Sequence, residues 1–188
     1  MGKKILNRAL RIMLVTNSLV LLAGAMLGPI YAIYVERIGG DLLDASFAGG
    51  IFALVAGLTV LISGNLSDRI REKELVVVAG YLTIGLGFLM YLWVESVLMV
   101  FLIQVIIGLG EAIYSPAFDA VYSEHLDKGK SGLQWGWWEA VNYFTYAVGA
   151  VIGGLIVVNL GFEWVFIFMA GLSFGSALYI YLLPRKVL

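Results

Sequence analysis

The chain has 188 residues, 61% of them hydrophobic and 13% charged, with a formal net charge of −1, one histidine and no cysteine. That much apolar surface excludes a soluble domain of this length, and the lack of cysteine excludes disulfides, thiolate metal sites and cysteine nucleophiles. Net charge says nothing about partners, because the charges are sorted by loop.

Six apolar stretches follow one another, each with the ~20 residues that a ~30 Å hydrocarbon core requires at ~1.5 Å per residue. They run from Leu10 to Val35, Ser46 to Leu66, Leu75 to Val94, Val97 to Phe118, Trp135 to Leu160 and Phe162 to Leu183. The first contains Ala23-Gly24-Ala25, a pattern like a signal-peptide cleavage site, but its apolar run continues to Val35 and reads as an uncleaved helix. Asn17, Gly24 and Tyr31 recur along it at seven-residue spacing. The second carries Gly49, Gly50, Ala53 and Gly57, small residues suited to tight packing. The third and sixth offer only Thr83, Ser173, Ser176 and tyrosines as polar groups. In the fourth, Gln104, Gly108, Glu111 and Ser115 fall on one face at i, i+4, i+7 and i+11, a polar face expected to line water. In the fifth, Asn142, Tyr143 and Tyr146 share a face with Glu139, followed by Gly149, Gly153 and Gly154. Connections of a few residues leave no room for a second domain, so residues 1–188 read as one all-α transmembrane bundle.

Lys3, Lys4, Arg8, Arg11, Arg69, Arg71, Lys73, Lys128, Lys130, Arg185 and Lys186 fall on one side of the implied membrane, and only Arg37 on the other. This bias predicts cytoplasmic termini and a multi-pass protein of the cell membrane. Trp93 and Trp164 mark the opposite interface, and Trp135, Trp137 and Trp138 the cytoplasmic one. His125 reads as a solvated loop residue, so no histidine lies at membrane depth for catalysis or haem ligation. No nucleotide-binding loop is present, and no enzyme activity, cofactor, metal or nucleic-acid partner is expected.

A charged carboxylate near a helix centre costs ~2.5–3.5 kcal/mol on insertion scales and persists mainly where a cavity or partner accepts it. Glu111 and Glu139 are the candidates for binding and releasing a proton, although each also reads as a structural anchor, Glu139 as a helix-dipole partner. Placing Pro29 on Pro116 brings Ala25 onto Ala112, and a slip of three residues brings Ile62-Ser63-Gly64 onto Ile152-Gly153-Gly154. The halves, about 10–94 and 97–183, look like copies of one three-helix unit, and an odd number of spans inverts the second copy.

The loop Gly64-Asn65-Leu66-Ser67-Asp68-Arg69-Ile70-Arg71-Glu72-Lys73 resembles the G-x-L-[AS]-D-R-x-G-R-[KR] signature of the major facilitator superfamily in its first six positions and final base. Arg71 and Glu72 replace that signature's second glycine and arginine. Gly149 to Gly154 resembles the family's G-P-x-x-G-G with Ala150 for proline, and Gln104 to Gly110 resembles R-x-x-Q-G-x-G with Gln104 and Ile107 substituted. The resemblance covers essentially the whole chain and one half of a standard twelve-helix member.

The resemblance implies that the first and fourth spans line a central cavity, with Asn17, Tyr31, Gln104, Ser115, Asn142, Tyr143 and Tyr146 as its polar groups. It implies that the second and fifth spans meet an opposite half and that the third and sixth face lipid. Gly64, Asp68, Arg69 and Lys73 would form a gating loop, with Asp68 docking on the start of the partner's fifth span near Leu133 to Trp137. With a starting methionine, a basic tail and an end just after Pro184-Arg185-Lys186, the chain reads as complete. The expectation is therefore a homodimeric half-size transporter of a small solute, coupled to protons. Gly49, Gly50, Ala53 and Gly57 would then approach Tyr146, Gly149 and Gly153 of the second copy. A non-transporting membrane subunit, half of a heterodimeric transporter and a truncated fragment are the alternatives.

Overall fold

The computed structural model describes residues 5–185 and 187–188; Lys3, Lys4 and Lys186 of the charge pattern lie outside the described residues. Six helical spans follow in chain order, with no strand among the described residues. The first is α1 (Arg8–Leu27), a 3-10 turn (Gly28–Ile30) and α2 (Tyr31–Arg37). Asn7 caps α1 by accepting a hydrogen bond from the Leu10 amide at 3.0 Å. Pro29 sits in the 3-10 turn, where its missing N–H interrupts the helical ladder. The position equated with it, Pro116, stays inside an unbroken helix.

The second span, α3 (Leu42–Arg69), starts from a reciprocal capping box in which the Asp41 and Asp44 side chains accept each other's backbone N–H. The third is α4 (Lys73–Met90) with a 3-10 turn (Tyr91–Trp93), the fourth α5 (Val97–Glu124), the fifth α6 (Ser131–Leu160) and the sixth α7 (Phe162–Leu182). Only Gly161 separates α6 from α7, at a φ of 97° that favours glycine. At 28, 28 and 30 residues, α3, α5 and α6 outrun their apolar stretches. Their ends, such as Asp119 to Glu124 and Ser131 to Gln134, are polar yet still helical, because apolar length marks the hydrocarbon part alone.

The spans pack as a row in the order α3, α5, α4, α7, α1, α6, while α1 and α5 touch only lightly. Exchanging the first three spans for the last three turns this row into its own reverse, the pairing that an inverted repeat produces. Ser63 and its counterpart Gly153 make contacts across equivalent pairs. The Ser63 hydroxyl donates to the Ala112 carbonyl between α3 and α5, while Gly153 lies against the Met26 backbone between α6 and α1.

The ends of the row are the most open. Only 11% of the apolar segments of α3 and α6 is buried, against 50% for α4 and 44% for α7. α4 and α7, expected to face lipid, form the centre of the row, where their neighbours bury about half of each and outer stripes such as Leu82, Leu86 and Leu178 are exposed.

Candidate functional site

α1 and α5 diverge around a cavity of about 430 Å³. Ile84 and Phe88 of α4 and Met169 of α7 line it, with Gly49 and Phe52 contributed by α3 and Tyr146 by α6. Its polar groups form two clusters. The Gln104 side-chain amide donates to the Tyr31 hydroxyl at 2.8 Å and to the Tyr91 hydroxyl at 3.0 Å. Seven residues along α5, the Glu111 carboxylate accepts a hydrogen bond from the Tyr114 hydroxyl at 3.1 Å. Among the described residues, no Lys, Arg or His lines the cavity beside Glu111. Among the described residues, no group of three or more His, Asp or Glu is placed to hold a metal ion.

Of the residues expected in the cavity, Tyr31, Gln104, Glu111 and Tyr146 line it. Asn17 does not. It is buried, and its side-chain oxygen accepts a hydrogen bond from the Tyr81 hydroxyl at 3.1 Å. The lining ends at Val20 on α1 and Tyr114 on α5; Asn17 lies one turn past the first, and half-buried Ser115 lies just past the second. Glu139 is exposed seven residues before Tyr146, ~10 Å along the helix and outside the lining. Asn142 is half-buried outside the cavity, and Tyr143 is turned outward at 74% exposure.

The glycines also divide differently. Gly108 shares a face with Gln104 and Glu111 but packs on α3, where an added Cβ would lie 2.8 Å from the Phe52 carbonyl oxygen. Gly149 and Gly153, expected to contact a second copy, are buried against α1 of their own chain. A Cβ on Gly149 would lie 2.7 Å from the Ala25 Cβ, and one on Gly153 2.6 Å from the Met26 Cα and carbonyl carbon. Two apolar helices can only come this close where side chains are absent. Gly154, Gly49, Gly50 and Gly57 have nothing within 4 Å of an added Cβ, and Ala53 is exposed.

In the expected gating loop, Gly64 is open, Asp68 and Arg69 are exposed, and Lys73 pairs with Glu124 at the end of α5. A third polar cluster, outside the cavity, gives no signal in the sequence. Gln134, fully buried at the start of α6, donates to the Ile5 carbonyl at 2.9 Å and to the Asp127 carboxylate at 3.0 Å. Its side-chain oxygen accepts from the Asp127 amide at 2.9 Å, and its carbonyl accepts from the Tyr122 hydroxyl at 2.7 Å. Hydrogen bonds from Gln134 and Lys130 hold the Asp127 carboxyl below the usual range. His125 is not a free loop residue, because its carbonyl accepts from Asn7 at 2.8 Å and its ring Nδ1 lies 2.8 Å from the Val121 carbonyl. Trp135 and Trp138 pack edge to face within this end of the bundle, beside Tyr122 and Phe118.

Comparison with known proteins places this architecture. The chain is 26% identical over 176 residues to the multidrug resistance protein MdtG of Klebsiella pneumoniae, covering 92% of this chain and 42% of that protein. It is also 26% identical over 182 residues to the MFS-type transporter MJ1560 of Methanocaldococcus jannaschii, covering 97% and 46%. It therefore spans less than half the length of these relatives. The fold matches a crystal structure of the POT family transporter PepTSo with a TM-score of 0.75 at 17% identity, over 96% of this chain and 38% of that one. The sequence model of the Major Facilitator Superfamily matches residues 13–187, so this multi-pass membrane chain belongs to that superfamily.

Proposed function

We propose that the chain is one half of a secondary transporter, that two copies side by side complete it, and that Glu111 couples movement of a small solute to protons. The observation that carries the reading is the cavity between α1 and α5, with a single carboxylate and an amide–phenol cluster at membrane depth. A carboxylate there is costly unless it has a function or a partner. Among the described residues its only hydrogen-bond partner is the Tyr114 hydroxyl.

The open ends of the row support pairing. Gly49, Gly50, Ala53 and Gly57 on α3 remain accessible, and α6 presents Phe144, Val148, Val151 and Leu155 outward. These outward residues, rather than Gly149 and Gly153, are the surface for a second copy. The pair would rock about an axis along the membrane normal, with both termini cytoplasmic, a reading supported by the basic loops. Asp68 is exposed at the end of α3, and Leu133 and Trp137 near the start of α6 are exposed too. A contact between that acid and the partner's helix start would hold the outward-facing state by ~0.3–1 kcal/mol, so Asp68→Asn shifts the balance inward.

Reconstitution tests the reading. After a ligand screen by thermal shift, the chain in liposomes should accumulate the solute only under a proton gradient. Glu111→Gln keeps the hydrogen bonding but not the exchangeable proton, and should abolish accumulation while sparing binding. Normal accumulation by that variant removes Glu111 from coupling. Cysteines at Gly50 and Val151 should crosslink between copies; a chain monomeric in detergent and lipid overturns the pair.

A further inference from the structure

We propose that a groove on the outer face of α4 and α7 holds one acyl chain of a glycerophospholipid, with Arg185 binding the lipid's phosphate. The groove encloses about 490 Å³ between two antiparallel stripes, Leu75 to Leu82 on α4 and Tyr181 to Phe174 on α7. Both stripes run i, i+3, i+4, i+7, and the alanines at their waists, Ala79 and Ala177, leave the space open. The site lies apart from the cavity at Glu111 and shares no lining residue with it.

Its length selects the occupant. Seven residues at ~1.5 Å cover ~10 Å, about a third of the ~30 Å core. A helix of a second copy would need a groove running the full height. A chain from one leaflet needs only this much. The deep end is closed by the Phe174 ring, which lies so close to Gly85 that a Cβ there would meet it at 2.7 Å.

The shallow end carries the polar contact. The Arg185 guanidinium lies 5.8 Å from the centroid of the Tyr181 ring that forms the groove wall. Its ion-pair contact with Glu74 is long, at 3.9 Å, and its side chain is 39% exposed. Most of its five donors therefore remain available for the bidentate geometry that suits phosphate. Arg185 approaches Glu74 here, and Lys73 pairs with Glu124. The group proposed to be selected is the phosphate, which all glycerophospholipid headgroups share.

Affinity must come from that end as well. An acyl chain leaving bulk lipid for the groove exchanges one apolar neighbour for another and gains little. A charge-assisted hydrogen bond accounts for about tenfold or more in binding.

Native mass spectrometry and thermal melting of the purified full chain test this with phosphatidylglycerol, phosphatidylcholine, diacylglycerol of the same acyl chains, and inorganic phosphate. Both phospholipids should be retained at one per chain and raise the melting temperature, whereas diacylglycerol and phosphate should do neither. Arg185→Gln, outside the helices, should weaken retention about tenfold. Ala79→Trp, at the exposed alanine of the lining, should weaken it by filling the groove. Retention of diacylglycerol equal to that of phospholipid, or unchanged retention by Arg185→Gln, overturns the proposal. So does an Ala79→Trp chain that loses self-association but keeps its lipid, since a second copy would then occupy the face.

Discussion

Gly153→Ala is the sharpest perturbation of the bundle, because one methyl group is enough to separate α6 from α1. The added carbon would lie 2.6 Å from the Met26 Cα and carbonyl carbon and closer still to its oxygen. These are backbone atoms of a continuous helix, so no rotamer change relieves the clash and the helices must part along their contact. Overpacking of this kind costs ~1–3 kcal/mol, and an immovable backbone puts the cost at the upper end, about 3 kcal/mol. Alanine's helix propensity returns ~1 kcal/mol, leaving a net loss of about 2. The next residue supplies the control. A Cβ on Gly154 meets nothing within 4 Å, so Gly154→Ala should gain the ~1 kcal/mol of propensity alone. Neighbouring substitutions should therefore differ by about 3 kcal/mol, roughly a hundredfold in the folding equilibrium. Denaturant titration in mixed micelles, followed by tryptophan fluorescence, measures this. Equal stability of the two variants would refute the in-chain packing of Gly153, as would a loss in Gly153→Ala that depends on protein concentration.

Gln134→Leu keeps the volume but leaves the Ile5 carbonyl and the Asp127 amide without their partner, at a cost of about 1–3 kcal/mol. Hydrogen exchange should then quicken about tenfold or more at the start of α1 and in the α5–α6 loop, with α4 and α7 unchanged. The lowered pKa of Asp127, caused first by the Gln134 hydrogen bond and then by Lys130, makes stability depend on acid. Its contribution is fully present above the unfolded value of about 3.9 and disappears as pH falls through the lower folded value. Melting curves across that window should show an acid loss in the wild type that Asp127→Asn flattens.

The six spans are legible in the sequence because each helix in lipid must satisfy its own backbone, leaving an uninterrupted apolar run as its signature. Glu111 and Gln104 were legible for a related reason: polar groups at that depth need an explanation. What periodicity cannot supply is the identity of the neighbour. Gln104, Gly108 and Glu111 do share a face, yet that face is wide enough for Gly108 to meet α3 while the other two meet the cavity. The spacing of Gly149 and Gly153 announces close approach, but nothing local distinguishes α1 of the same chain from a second copy. Asn17 looked like a cavity group because its partner, Tyr81, is 64 residues away. Gln134 gave no signal, since an amide at a helix start is ordinary until the loop folds over it.

The reversed row of spans has a consequence for biogenesis. α1 leaves the ribosome first, but its principal neighbours, α6 and α7, are made last. Until then its buried side, including the strip that receives Gly149 and Gly153, is covered by lipid. α5 meets α3 and α4 as soon as it is inserted, so native contacts form early around the fourth span and late around the first. A product ending after α4 would contain one complete sequence repeat and almost none of the extensive helix pairs of the finished bundle. The expected three-helix repeat is thus not the unit that folds, and quality control should recognise such a fragment as unassembled rather than as a small stable domain.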